Sequence, residues 1–377
     1  MNSSKLENLE AIILIAIIMI NNIILNLPKT IIVSTGSSAW LNTIYIGIIA
    51  TIFAYLIVLL FKNFPNLDII DVSNYLGGKF LKIIIGIIFI IFFSVMSILV
   101  IRNFSETLKI IYFNNSPIIF LIIFFIVASC IANKFGIKVI AKANLIIAPI
   151  VFISILIVLF STAKNFVPQR LLPILGYGAN ETFFSGLTNL FGFTGLAYLL
   201  FLQPFLKRKN SLKKISIISL VISSIYLFLS VTCLLLVFSF IVDTNESISI
   251  YLLSRMTRYG EFIQRANAIF ILIWILSVLS FISIALFFSL HITKKLTNIT
   301  NTNPINYCFG SIILGFTMLL QNFAEYVTFV ETAFKYFVLI FIFGVNMAIL
   351  ILANVKYKFL SKTNNTAWIM CFKISRL

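Results

Sequence analysis

The sequence predicts an all-α polytopic membrane protein of about ten transmembrane helices, in two five-helix halves related as an inverted repeat, with helices 1 and 6 broken. Three observations predict it. Hydrophobic residues make up 61% of the 377 and charged residues only 10%. The apolar residues fall into runs of about 20, the length that crosses a bilayer. Polar or helix-breaking residues interrupt the first and the sixth run near mid-depth. A water-soluble core cannot use this much apolar surface, and in hydrocarbon a helix satisfies its own backbone polar groups.

Taken in order, the runs place spans at 11–33, 40–61, 81–101, 117–133, 143–163, 182–206, 215–242, 267–291, 306–323 and 334–355. Glu7 and Glu10 precede the first run, so it reads as a retained helix and not as a cleaved leader. Most of the 28 Lys and Arg residues sit on one side, in clusters such as Lys62, Lys79 and Lys82, Lys134, Lys138 and Lys142, Lys207 and Arg208, and Lys294 and Lys295. That bias places both termini in the cytoplasm and calls for an even number of spans. The chain reads as one transmembrane domain over 1–377, with a first half at 11–163, a second at 182–355 and a basic cytoplasmic tail at 356–377. The connection at 164–181 holds Pro168, Pro173, Gly176 and Gly178, which predicts a folded surface or re-entrant loop.

The breaks are the candidate functional feature. In span 1, Asn21 and Asn22 lie roughly 15 Å from the basic side at 1.5 Å per residue, and Asn26 and Pro28 follow. Pro28 lacks an N–H and crowds the preceding turn. In span 6, Gly192, Phe193, Thr194 and Gly195 fall at comparable depth. Two glycines three apart let a helix unwind or let a neighbour approach closely, and a late proline can also be a plain kink. A pair of opposed half-helices offers N–H groups to a carboxylate and carbonyls to an ammonium, which suits a zwitterionic amino acid. Further wall candidates are Ser97 in span 3, with Trp274 as an aromatic wall and Ser277 as a hydroxyl in span 8.

Other chemistries find no support in the residue pattern. The net charge of +17 is distributed through short loops and forms no nucleic-acid face. Cys130, Cys233, Cys308 and Cys371 have no close pair and no histidine at ligand spacing, so free buried thiols are expected and no metal or cofactor is implied. His291 reads as an interfacial residue, and Arg102 with Glu106 as an ion pair at the interface or a relay. No nucleophile and base pair or phosphate loop indicates an enzyme.

Several segments, in this order and spacing, resemble the B subunits of spore germination receptors, the endospore germination permease family within the amino acid-polyamine-organocation superfamily. They are Leu27-Pro28 with Gly36-Ser37-Ser38-Ala39-Trp40-Leu41; Arg102-x-Phe104-x-Glu106 leading to Ser116-Pro117; Leu172-Pro173 with Gly176-Tyr177-Gly178; Phe193-x-Gly195 with Phe201 and Pro204-Phe205; and Gln264-Arg265-Ala266-Asn267 through Phe270 to Trp274. The resemblance implies a permease fold in the spore inner membrane, a germinant such as an amino acid as ligand, and A and C subunits as partners. It places the ligand at Asn21, Asn22 and Asn26 in span 1 and at Phe193, Thr194, Gly195 and Ala197 in span 6. The chain departs from the family at Asn21 and Ile23, where glycines are common, near Ala197, and at Gln264 and Asn267, where acids are common. An amino-acid/cation symporter is the alternative function.

Overall fold

The computed structural model describes residues 5–208, 211–238, 250, 253–254, 266–320 and 328–362. Gln264, most of the 243–265 connection, Cys371 and the tail beyond 362 lie outside the described residues.

Span 1 is two helices, α1 (Asn8–Leu25) and α2 (Leu27–Thr35), joined at Asn26, whose φ and ψ of −128° and −7° leave the helical region. Glu7 and Glu10 begin α1 as a capping box, with the Glu7 N–H donating to the Glu10 carboxylate at 2.8 Å. Pro28 does not kink a continuous helix. It stands in the first turn of α2, where its missing N–H would have had no helical partner. Gly36, with φ 67°, turns the chain into α3 (Ala39–Phe61), the second span.

The third span lies within α4 (Ile69–Ile111), a 43-residue helix that starts earlier than the hydropathy pattern implies. Gly77 and Gly78 break it into a short arm and a spanning rod. Next come α5 (Ile118–Lys134) and α6 (Ile137–Ser161). The sixth span is an irregular run of π and 3₁₀ turns, 180–193, followed after a 49° bend by α7 (Gly195–Leu202). The remaining spans are α8 (Leu212–Val237), α9 (Ala266–Thr297), α10 (Asn303–Leu319) and a π-interrupted helix from Val330 that ends in α11 (Asn346–Lys362).

Among the described residues, seven helices are long and apolar enough to cross a membrane, or eight with the bent pair of span 6 taken as one. At 17 residues each, α5 and α10 fall short of a full span's length, and they stand where the fourth and ninth spans are expected. The chain thus has the apolar helices of a multi-pass membrane protein, with spans 1 and 6 broken.

Burial explains which helices lie in the middle. In α1 and α7 almost every residue is covered, whereas α3, α5 and α6 keep Ile48, Ile52, Phe120, Phe124, Ile146 and Ile153 exposed for lipid. The helices fall into two groups by contact: α1 and α3 pack on α8, while α4, α5 and α10 pack around one another and on α9. Between the groups lies an aromatic core of Phe89 and Phe93 from α4, Tyr198 and Phe201 from α7, and Phe288 from α9, with ring centroids 4.7–5.9 Å apart. Cys130 and Cys233 are buried free thiols, but Cys308 is exposed, contrary to the expectation for all four, because it lies on an outward face of α10. Arg102 and Glu106 form an ion pair, with side chains 4% and 16% exposed.

Candidate functional site

The two breaks meet. The Asn22 amide, one turn before the end of α1, donates to the Gly192 carbonyl at 3.1 Å and to Thr194 Oγ1 at 2.8 Å. Both acceptors belong to the interruption of span 6, between its 3₁₀ run and α7. One side chain from the first break therefore satisfies the second.

The glycines make this approach possible. A Cβ at Gly192 would lie 2.4 Å from Leu27 Cδ2, and one at Gly195 would lie 2.6 Å from Met19 Cγ. Neither glycine has a positive φ, so their role is close packing of the two broken spans; in span 1 the helix is interrupted at Asn26. Asn26 also accepts from the Thr30 N–H at 3.1 Å, which closes the first turn of α2.

Asn21, Phe193, Thr194 and Ala197 are all buried, at 0–2% exposure. Neither amide atom of Asn21 has a hydrogen-bond partner among the described residues. Trp274 packs edge-on against Phe104 of α4 with centroids 4.5 Å apart, and its Nε1 is buried without a partner, as is the Ser277 hydroxyl one turn on. Buried polar groups left unpaired are costly, and Asn21 on α1 and Trp274 and Ser277 on α9 are three such side chains. Ser97 does not fit the same description. Its hydroxyl donates to the Phe93 carbonyl of its own helix at 2.9 Å, so its proton is committed there.

Sequence reasoning missed a polar network that ties spans 1 and 2 to span 6 at the face opposite the N-terminus. Asn42 donates to the Thr182 carbonyl at 2.7 Å, Asn189 donates to Asn42 Oδ1 and Ser34 Oγ at 3.0 Å each, and Ser38 and Thr182 share a hydrogen bond of 2.7 Å. The 164–181 connection folds onto this corner through Ser37, which donates to the Pro173 carbonyl at 2.6 Å. At the basic face the Leu6 N–H donates to the Phe205 carbonyl at 2.7 Å, and Lys138 pairs with Glu10. Asn42 and Asn189 could have been noticed as amides inside apolar runs; their partners could not.

The comparisons with known proteins bear on the family and the fold. The family described as "Spore germination protein" matches residues 5–326. The chain belongs to the spore germination protein family. Spore germination protein KB of Bacillus subtilis (strain 168) is 24% identical over 315 residues, covering 81% of this chain and 84% of that protein. Spore germination protein YndE of the same organism is 23% identical over 313 residues, covering 82% and 85%. Among solved structures, this spore germination family member is similar to Mhp1, a nucleobase-cation-symport-1 family transporter, in a closed conformation with bromovinylhydantoin bound. The TM-score is 0.65 at 12% identity, over 91% of this chain and 78% of that one. The inward-facing conformation of Mhp1 gives 0.60 over 92% and 76%. At this identity the likeness concerns the fold.

Proposed function

We propose that this family member is the nutrient-sensing membrane subunit of a spore germination receptor, and that it binds a small polar germinant such as an amino acid between spans 1, 3, 6 and 8. The observation that carries the reading is the Asn22 bridge from the first break to Gly192 and Thr194 in the second. It brings two interrupted backbones together at the centre of the bundle, beside the unpartnered Asn21 amide. Such a site holds ligand by main-chain dipoles and short polar side chains, without an intramembrane charge of its own.

Binding acts by differential affinity. A ligand that fits one packing of the two helix groups better than the other shifts the balance by that difference, and a few kcal/mol is sufficient. Receptor A and C subunits read the shift, in the spore inner membrane, with the basic face and both termini in the cytoplasm. The chain acts as one unit of two helical halves, 11–163 and 182–355, and performs no catalysis.

Spores carrying Asn22→Leu or Gly195→Leu test this. At protein levels matched to the parent, their nutrient dose–response is expected to weaken by about tenfold or more, the equivalent of ~1.4 kcal/mol. An unchanged dose–response in both removes the proposed site.

A further inference from the structure

A second buried polar assembly lies at the basic face, away from the breaks. Asp68 and Asp71, 0% and 1% exposed, cap the short arm Ile69–Leu76 that precedes the break in α4. The Asp71 N–H donates to Asp68 Oδ1 at 3.1 Å. Lys295, near the end of α9, pairs with both carboxylates and reaches Asp71 Oδ2 at 2.7 Å. One turn earlier on the same helix, His291 Nε2 lies 3.1 Å from Asp68 Oδ2. Burial alone would raise the Asp68 carboxyl, but Lys295 and His291 together outweigh it and hold the group well below the usual carboxylate range.

The other end of the arm is gripped by α11. The Lys356 ammonium donates to the Tyr75 and Leu76 carbonyls at 2.8 and 3.1 Å, the groups a helix leaves unpaired at its C-terminus. Asn354 donates to the Leu60 carbonyl at 2.9 Å and accepts from Asn63 at 2.7 Å, so the end of α3 is fastened to α11 as well. Between arm and rod, Gly78 has φ 65° and ψ −161°. Nothing lies within 4 Å of the place where its Cβ would stand, so packing does not require glycine there and the backbone conformation does.

These features describe an arm held at both ends and joined to its rod by a glycine turn. Docked, every charge has a partner; undocked, the carboxylates must reach water, because a buried carboxylate without its cation is strongly unfavourable. The arm also joins α3, of one helix group, to α4, of the other, while docked on α9 of the second group. We propose that Ile69–Leu76 is a clasp whose docking between Lys295 and Lys356 holds one of the two packings of the helix groups, and whose release accompanies the switch. The proposal rests on the functional reading only in needing two packings.

Two reporters at opposite faces test it in the full-length chain in membrane vesicles, with Cys130, Cys233, Cys308 and Cys371 replaced by Ser. One is Ser73→Cys in the arm; the other is Ala39→Cys at the far end of α3, both at fully buried positions. A membrane-impermeant maleimide is applied to right-side-out and inside-out vesicles. Lys295→Met is expected to speed modification of the arm reporter several-fold and to change the rate at Ala39→Cys by a comparable factor. Lys295→Arg should return both rates to the parent. Lys356→Met, acting at the other end of the arm, should produce the same paired change. Faster labelling of the arm alone in both Met variants, with Ala39→Cys at the parent rate, overturns the proposal and leaves a static anchor; so does no change at either reporter. Paired changes in vesicles that show no response to a mixture of the common amino acids support the clasp and remove the sensing reading.

Discussion

Asn22 does what a longer or apolar residue could not. Its amide group supplies two hydrogens in a fixed plane, and both acceptors lie on a different span. Asn22→Leu keeps the volume and removes both bonds, leaving the Gly192 carbonyl buried without its side-chain donor, so a loss of about 1–3 kcal/mol in unfolding free energy is expected. Thr194→Val removes only one acceptor and should cost about 1 kcal/mol or less. Denaturation in detergent, followed by a single cysteine or tryptophan probe, reads the difference between the two. At Gly195, a methyl would overlap Met19, so Gly195→Ala should destabilise by about 1–3 kcal/mol and Met19→Ala in the same chain should recover part of that loss. Failure of the second substitution to compensate would show that the overlap is not the cause.

How far these residues were legible depends on the range of their interactions. Asn22 stood out because an amide in an apolar run is expensive in lipid and Pro28 followed close behind. Thr194 and the glycines stood out for the same local reasons. Ser97 did not declare itself, since a serine in a helix can bond its own preceding turn or face a ligand, and nothing in its spacing distinguishes the two. The capping pattern of Asp68 and Asp71 is readable along the chain. Its cation is not, because Lys295 is 224 positions away from Asp71.

At the scale of elements, the two breaks are made differently. Span 1 stops and restarts: Asn26 ends one helix and Pro28 opens the next in the turn that tolerates it best. Pro28→Ala is accordingly expected to change stability by less than about 1 kcal/mol, in contrast to the ~3 kcal/mol typical of a proline inside a helix. Span 6 approaches its break through nine residues of 3₁₀ winding before α7 begins. Hydropathy could place this run but could not foresee its winding, which follows from the amide and hydroxyl contacts of Thr182 and Asn189 with α3 and α2. The arm of α4 was overlooked for a related reason: Lys79 and Lys82 look like the edge of a span, and the charged residues before them look like a loop.

The arm also carries a pH expectation. Because the Asp68 pKa is lowered on folding from its ordinary 3.8, its contribution to stability is fully present above that value and is lost as pH falls through the lower, folded value. The melting temperature should therefore be insensitive to this group from pH 7 down to about 5 and decline only on further acidification. Asp68→Asn should lower stability at neutral pH and flatten that acid limb. Gly78→Ala, forced to a positive φ of 65°, should cost about 1–2 kcal/mol without disturbing any side-chain contact.

On the scale of the whole molecule, spans 1 and 6 are tied at three levels. The Asn189 to Ser34 bond joins them at one face, with Asn42 of the second span bonded into the same corner, Asn22 ties them at the middle, and the Leu6 to Phe205 bond ties them at the basic face. Elements tied along their full length move together, so a change of packing is expected to separate helix groups and not to swing one half-helix alone. Proteoliposomes holding the chain alone should accumulate no labelled amino acid against a sodium or proton gradient if it senses and does not transport; accumulation would assign it to symport.

The central claim is that the joined breaks form a ligand site, and ligand-induced stabilisation of the purified chain tests it most directly. At a hundredfold excess over its dissociation constant, a bound ligand adds about 2.7 kcal/mol, a clear rise in melting temperature. In a panel of single amino acids, at least one is expected to stabilise the parent chain and to leave Asn22→Leu unshifted. An equal shift in both, or no shift with any amino acid, would contradict the account.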